Sequence, residues 1–285
     1  DKMLKEPKVK EPNTLTFEQK SQSLYTNATK ALDELFNNPE TLKNYEQSKE
    51  VVNGLVENVL NDEFTLKSLM SIASHDYYTH THSLNVAIYA LSLGSFLKLD
   101  ENSLSILGEA ALLHDLGKSK IDKEIINKNG KLNDKEWETI RTHPVLGHTI
   151  GRKLGIQNPI ILSAIRHHHE KMDGTGYPGG LFAEDLGIFT RMSSICDVYD
   201  AITSQRPYSD PLSASQALAE MMSWSGHFDP LIFCDFVDSL GILPVGTLVR
   251  LNNDELAVVI GESPSHYSAP IVRSFHSLDT NLAIA

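Results

Sequence analysis

The run Ala110-Ala111-Leu112-Leu113-His114-Asp115-Leu116-Gly117-Lys118 sets the strongest condition on how this chain can fold. Its apolar residues belong in a core, yet they carry an adjacent imidazole and carboxylate, and an unpaired carboxylate in such a place is costly. The pair therefore needs a cation. A metal ion meets that need, because imidazole nitrogen and carboxylate oxygen both coordinate transition metals at about 2 Å. Gly117 lets the helix end there, which brings Lys118 within reach of whatever the metal holds.

Other candidate ligands stand at comparable places. His168-His169-Glu170 closes an apolar helical pattern and runs into Asp173-Gly174-Thr175-Gly176-Tyr177-Pro178, a loop that the glycines permit and Pro178 stiffens. His80 and His82 are two apart, so on a helix they diverge by roughly 200 degrees. Val86, Ala87, Tyr89 and Ala90 put His82 on the buried side and turn His80 outward. Alone, His82 reads as a satisfied core histidine. His143, before Pro144, falls at a joint between helices and by itself suits a structural role as well as a functional one. Asp197, beside Ile195 and Val198, repeats the buried-charge problem of Asp115.

Jointly, His82, His114, Asp115, His143, His168, His169 and Asp197 resist such single explanations. They exceed what one tetrahedral zinc uses and suffice for two metals sharing a carboxylate. Imidazole with carboxylate and no thiolate suits iron, manganese or zinc rather than a sulfur cluster.

The surrounding periodicity is helical. Leu24, Ala28, Ala31, Leu32 and Leu35 mark a helix from Phe17 that Asn37, Asn38 and Pro39 end. A second helix runs from about Glu40 to Leu60, and the pair reads as packing or as a dimer-forming hairpin. Further helices are expected over Leu66 to Ser74, His82 to about Leu97, from Asp100 or Ser103 to the His-Asp run, from the Asn133 cap through Trp137 and Ile140, and over Val145 to Leu154. Ile160 to His169, Glu184 to Thr203, Ser213 to Ser223 and Pro230 to Leu240 complete the set. Thr247 to Leu251 and Leu256 to Ile260 flank Asn252-Asn253-Asp254-Glu255 as a β-hairpin, with Ala269 to Phe275 as a candidate third strand. Residues 1–14 carry charge and prolines without periodicity, a disordered lead-in.

Composition excludes several classes. A formal charge of -12 argues against coating nucleic acid through a broad basic surface. No run reaches the ~20 apolar residues that span a bilayer, and the N-terminus does not resemble a signal peptide, so the chain is expected in the cytoplasm. Cys196 and Cys234 are far apart and read as buried packing residues.

His114-Asp115 with Gly117-Lys118, His143-Pro144, His168-His169-Glu170 followed by Asp173-Gly174 and Gly176-Tyr177-Pro178, and Arg206-Pro207-Tyr208 resemble the HD-GYP family over roughly residues 70–240. The resemblance implies a mainly α fold: a helical bundle of the HD superfamily over 71–240, with an N-terminal helical region over 15–70 and a small β-hairpin appendage over 241–285. It implies a phosphodiesterase that linearises cyclic di-GMP to pGpG, with GMP as a further product in some members. The seven residues named above become the metal ligands of two divalent ions, iron or manganese, with Asp115 as the bridge. Some members hold a third metal through a glutamate one turn before the first histidine; here that position is Tyr78. Attack by a water that two such cations acidify needs no protein nucleophile.

By the same resemblance Lys118 contacts the scissile phosphate, Arg206 is a candidate second clamp, and Gly176, Tyr177 and Pro178 line the substrate near guanine and form a docking loop for diguanylate cyclases. Asp173 is assigned to orienting that loop or a ligand histidine. A phosphodiesterase for cyclic GMP-AMP, a nucleotidase or alarmone hydrolase, and a cyclic di-GMP-binding or cyclase-docking module are the rival readings.

Overall fold

The computed structural model describes residues 16–61, 63–75, 81–128, 130–204, 211–240, 246–261, 270–280 and 282–283. Helix α1 (Phe17–Asn37) starts at a capping box in which Thr16 accepts from the Gln19 amide and Gln19 reaches back. Helices α2 (Leu42–Asn61) and α3 (Glu63–His75) follow, then α4 (His82–Phe96) and α5 (Glu101–Leu113). Every residue of α4 from Ser83 to Gly94 is buried. A helix apolar all round is the axis of a core rather than its edge. It packs against α3, α5 and, later in the chain, α10 (Ile188–Thr203) and α12 (Pro230–Leu240).

The N-terminal helices belong to that same core. Tyr25 of α1 donates its hydroxyl to Asn85 of α4 at 2.6 Å, and Tyr45 of α2 donates to Glu109 of α5 at 2.7 Å. Gly108 lets α5 lie against Val52 and Leu91 with no space for a side chain between them. The pair thus packs within the chain's own core.

After α5 a 3-10 turn (Leu116–Lys120) leads to the short α6 (Lys123–Ile126), α7 (Asp134–Ile140), α8 (His143–Lys153) and α9 (Pro159–His167). Gly117 lies directly on the backbone of His143 and Gly147, where any Cβ would collide with main-chain atoms that cannot yield. This contact docks the segment after Asp115 on α8. The predicted cap Asn133 accepts from the first turn of α7, and Asn158 and Ser213 do the same for α9 and α11 (Ala214–Ser223).

Some boundaries move, two of them at the site. Helix α9 stops at His167, leaving His168 as its cap. Helix α10 begins at Ile188, not Glu184, because a separate 3-10 turn (Ala183–Asp185) precedes it. Arg191 holds that turn apart by donating to the carbonyls of Leu186 and Ala183 at 2.8 and 2.6 Å.

Cys196 is buried, but Cys234 is exposed: Ile232, Phe233, Phe236 and Leu240 form the inward face of α12 and leave residue 234 outside it. The C-terminal strands β1 (Leu248–Arg250), β2 (Glu255–Gly261), β3 (Ile271–Ser277) and β4 (Leu282–Ala283) form one antiparallel meander, so the predicted hairpin extends to four strands. Among the described residues, no helix is long and apolar enough to cross a membrane.

Candidate metal centre

Four helix ends and one helix interior bring the candidate ligands together. His82 opens α4, His114 caps α5 with Asp115 next, His143 opens α8, His168 caps α9 with His169 next, and Asp197 lies within α10. Asp115 is at the middle. Its Oδ2 lies 3.6 Å from His82 Nε2 and 3.4 Å from His114 Nε2, while Oδ1 lies 3.2 Å from His143 Nε2 and 3.8 Å from His168 Nε2. The carboxylate thus divides the imidazoles into two sets, one per oxygen. Asp197 Oδ1 approaches His82 and His114 at 3.0 and 3.7 Å, and its Oδ2 approaches His169 Nδ1 at 3.6 Å.

The ring nitrogens show that these groups face a missing positive charge. The Nδ1 of His114, His143 and His168 each donate to the carbonyl three residues back, Ala111, Ile140 and Ile165, at 2.6, 2.7 and 2.9 Å. In a neutral ring the opposite nitrogen, Nε2, is then a lone pair. Nε2 of His143 and of His168 meet at 3.1 Å. Burial and three neighbouring imidazoles push His168 well below the usual histidine range, so its ring stays neutral. Two lone pairs at that distance repel unless a cation lies between them.

Buried orphans point the same way: His114 Nε2 and Asp115 Oδ1 have no hydrogen-bond partner. Burial alone would raise the Asp115 carboxyl, but Lys118 and His114 hold it well below its usual range. Lys118 Nζ reaches Asp115 Oδ2 at 2.5 Å, which compensates one oxygen only. An uncompensated buried charge costs roughly 3–5 kcal/mol, so a second positive partner is needed. Asp197 is likewise held low, against burial, by His82, His114 and His169. The donor set fits divalent metal: His143, His168, His169 and Asp115 converge within 4.8 Å, as do His82, His114 and Asp115, and His114, His168 and Asp197.

The loop after His169 is built onto the same structure. Glu170 is buried, and its carboxylate accepts from the amides of Gly179 at 2.5 Å and Leu181 at 3.0 Å. Gly176 rests on the backbone of His169, Glu170 and Lys171 with no room for a Cβ. The Tyr177 ring stacks on His169 at 4.8 Å, which sets Tyr177 against a candidate ligand, and a cis peptide joins it to the exposed Pro178. Asp173 accepts from the amide and hydroxyl of Thr175 at 2.9 and 2.7 Å, so it shapes the loop and not a histidine. Arg206, Pro207, Tyr208, Tyr78 and His80 lie outside the described residues.

The HD domain family matches residues 33–232 of this sequence. The chain belongs to that family. This HD domain is 38% identical over 237 residues to a cyclic di-GMP phosphodiesterase of Pseudomonas aeruginosa, covering 83% of this chain and 57% of the relative. It is 35% identical over 169 residues to 3'3'-cGAMP-specific phosphodiesterase 3 of Vibrio cholerae, covering 59% of this chain and 36% of that one. The chain therefore spans about half or less of the length of these curated relatives. In fold it is similar to an HDG"Y"P protein from Bdellovibrio bacteriovorus, with a TM-score of 0.67 and 19% identity over 79% of this chain and 73% of that chain.

One residue of this HD domain, placed by the sequence one turn beyond Asp197 but given no role there, gains one in the structure. Asp200, buried and one turn beyond Asp197, accepts from His82 Nδ1 at 2.7 Å. Its spacing of three from Asp197 puts both carboxylates on one face of α10, and His82 is the partner that this spacing does not reveal. Burial disfavours a charged His82, but Asp197 and Asp200 outweigh it and raise the imidazole to about 9. A carboxylate behind a ligand imidazole fixes its tautomer and increases its basicity. Asp200→Ala is expected to weaken metal binding by about 10–100-fold while the chain stays folded, measured by competition with a chelator of known affinity. Unchanged affinity would show that Asp200 does not act through His82.

Proposed function

We propose that this HD domain, with its catalytic unit over residues 71–240, is a metal-dependent phosphodiesterase that hydrolyses cyclic di-GMP to pGpG. The observation that carries the reading is the division of the histidines between the two oxygens of Asp115. A carboxylate so placed suits two divalent cations, for which iron or manganese is the family expectation. The names of its relatives support a cyclic dinucleotide substrate. The Vibrio cholerae relative makes cyclic GMP-AMP the second reading.

When bound, a pair of cations supplies Lewis acidity, lowering the pKa of water and neutralising charge on phosphoryl oxygens. The protein supplies the rest. His114, His143 and His168 are aimed by carbonyls behind their rings and His82 by Asp200, so their Nε2 atoms face the centre without reorientation. Lys118, one-third exposed at the edge of the centre, can exchange Asp115 for a phosphate oxygen of the substrate. His114, His143 and His168 have fully buried side chains, which keeps bulk water from the inner wall.

The test is anaerobic loading with iron or manganese, elemental analysis, and product chromatography after incubation with cyclic di-GMP, cyclic GMP-AMP, guanosine tetraphosphate and dNTPs. Two metals per chain and conversion of cyclic di-GMP to pGpG are expected. Turnover of only the last two substrates would overturn the assignment.

A further inference from the structure

We propose that Arg141 determines substrate specificity at this centre by binding the phosphodiester of a cyclic dinucleotide that is not being cleaved; the inference rests on the reading given under Proposed function. Exposure defines the way in. The side chains of His114, His143 and His168 are fully buried, whereas His169 is 24% exposed and Lys118 33%. A substrate therefore reaches the centre past His169 and Lys118. Tyr177 covers His169 on that wall, and the guanidinium of Arg141 lies over the Tyr177 ring at 5.2 Å from its centroid. Arg141 is the next group outward from the metal ligands.

Its position is fixed by the same turn that aims a ligand. Arg141 caps α7 through its amide to the Trp137 carbonyl at 2.9 Å, and the residue before it, Ile140, offers the carbonyl that orients His143. Arg191 and Arg250 are each taken up by an aspartate, Asp229 and Asp254. The side chain of Arg141 is exposed and meets an aromatic face instead. A guanidinium held over an aromatic face by cation–π attraction keeps N–H groups for a ligand, and its planar fork matches a pair of phosphate oxygens.

Charge explains why a second cation is needed. A cyclic dinucleotide brings two phosphodiesters to a chain of formal charge -12. The metal centre and Lys118 account for one of them. The other requires local positive charge further out on the same wall, against the sign of the protein as a whole.

The experiment compares cyclic di-GMP with bis(p-nitrophenyl) phosphate, which has a single phosphodiester, in metal-loaded wild type, Arg141→Ala and Arg141→Met. The methionine keeps an unbranched chain over Tyr177 without charge. Both variants are expected to keep full metal content and to raise KM for cyclic di-GMP on the order of tenfold with little change in kcat, the signature of lost ground-state binding. Their kcat/KM for bis(p-nitrophenyl) phosphate should equal that of wild type. Equal losses on both substrates, an unchanged KM for cyclic di-GMP, or a wild-type KM in the methionine variant would each overturn the role of Arg141 alone. Wild-type turnover of bis(p-nitrophenyl) phosphate with none of cyclic di-GMP would instead overturn the functional reading, and Arg141's role with it.

Discussion

Asp115→Ala should yield a folded chain that retains neither metal nor phosphodiesterase turnover, with activity reduced by at least about a thousandfold. Asp115 Oδ2 faces His82 and His114 and its Oδ1 faces His143 and His168, so its removal takes an oxygen from both sets at once and leaves Asp197 as the remaining carboxylate among the candidate ligands. The fold should survive, because the substitution removes a carboxylate that burial already penalises and leaves the Gly117 contact with α8 untouched. Elemental analysis, circular dichroism and turnover on one preparation check this. Retained turnover would remove the shared carboxylate from the scheme.

Lys118→Ala should do something different: keep both metals and lose about 100- to 1,000-fold in kcat. An ammonium group has no lone pair and cannot be a ligand. It stands 2.5 Å from Asp115 Oδ2 and, among the described residues, is the one lysine or arginine in an ion pair with a candidate ligand. Its removal withdraws a positive charge from the transition state without touching the donor set. Lys118→Arg, which keeps charge but changes geometry, should recover part of the rate. Loss of metal together with turnover would make Lys118 a structural partner of Asp115, and undiminished turnover would remove it from catalysis.

The helices and their caps were legible because periodicity and capping chemistry are local. Asn133, Asn158 and Ser213 act within a few residues of themselves. The candidate ligands were legible for another reason: His114-Asp115 in an apolar run cannot be satisfied locally, and the structure does bring the other five candidates to it. What escaped depended on long-range packing. Asp200 shows its role only once α10 lies beside the start of α4, and Arg141 only once the loop folds Tyr177 onto His169. Glu170 was grouped with the histidines, although its carboxylate turns away to hold Gly179 and Leu181. The exposure of Cys234 followed from which face α12 presents inward. Each miss is a question of direction, which spacing along the chain does not answer.

The way the imidazoles are aimed has a consequence for genetics. Three of them are held by main-chain carbonyls three residues back and one by a side chain, Asp200. Side-chain substitution leaves a main-chain carbonyl in place, so a complete alanine scan would score Asp200 and pass silently over the supports of His114, His143 and His168. Those three supports fail only when the helix end itself is disturbed. A proline or an insertion at Ala111, Ile140 or Ile165 can therefore behave as an active-site lesion although the residue it replaces touches no substrate.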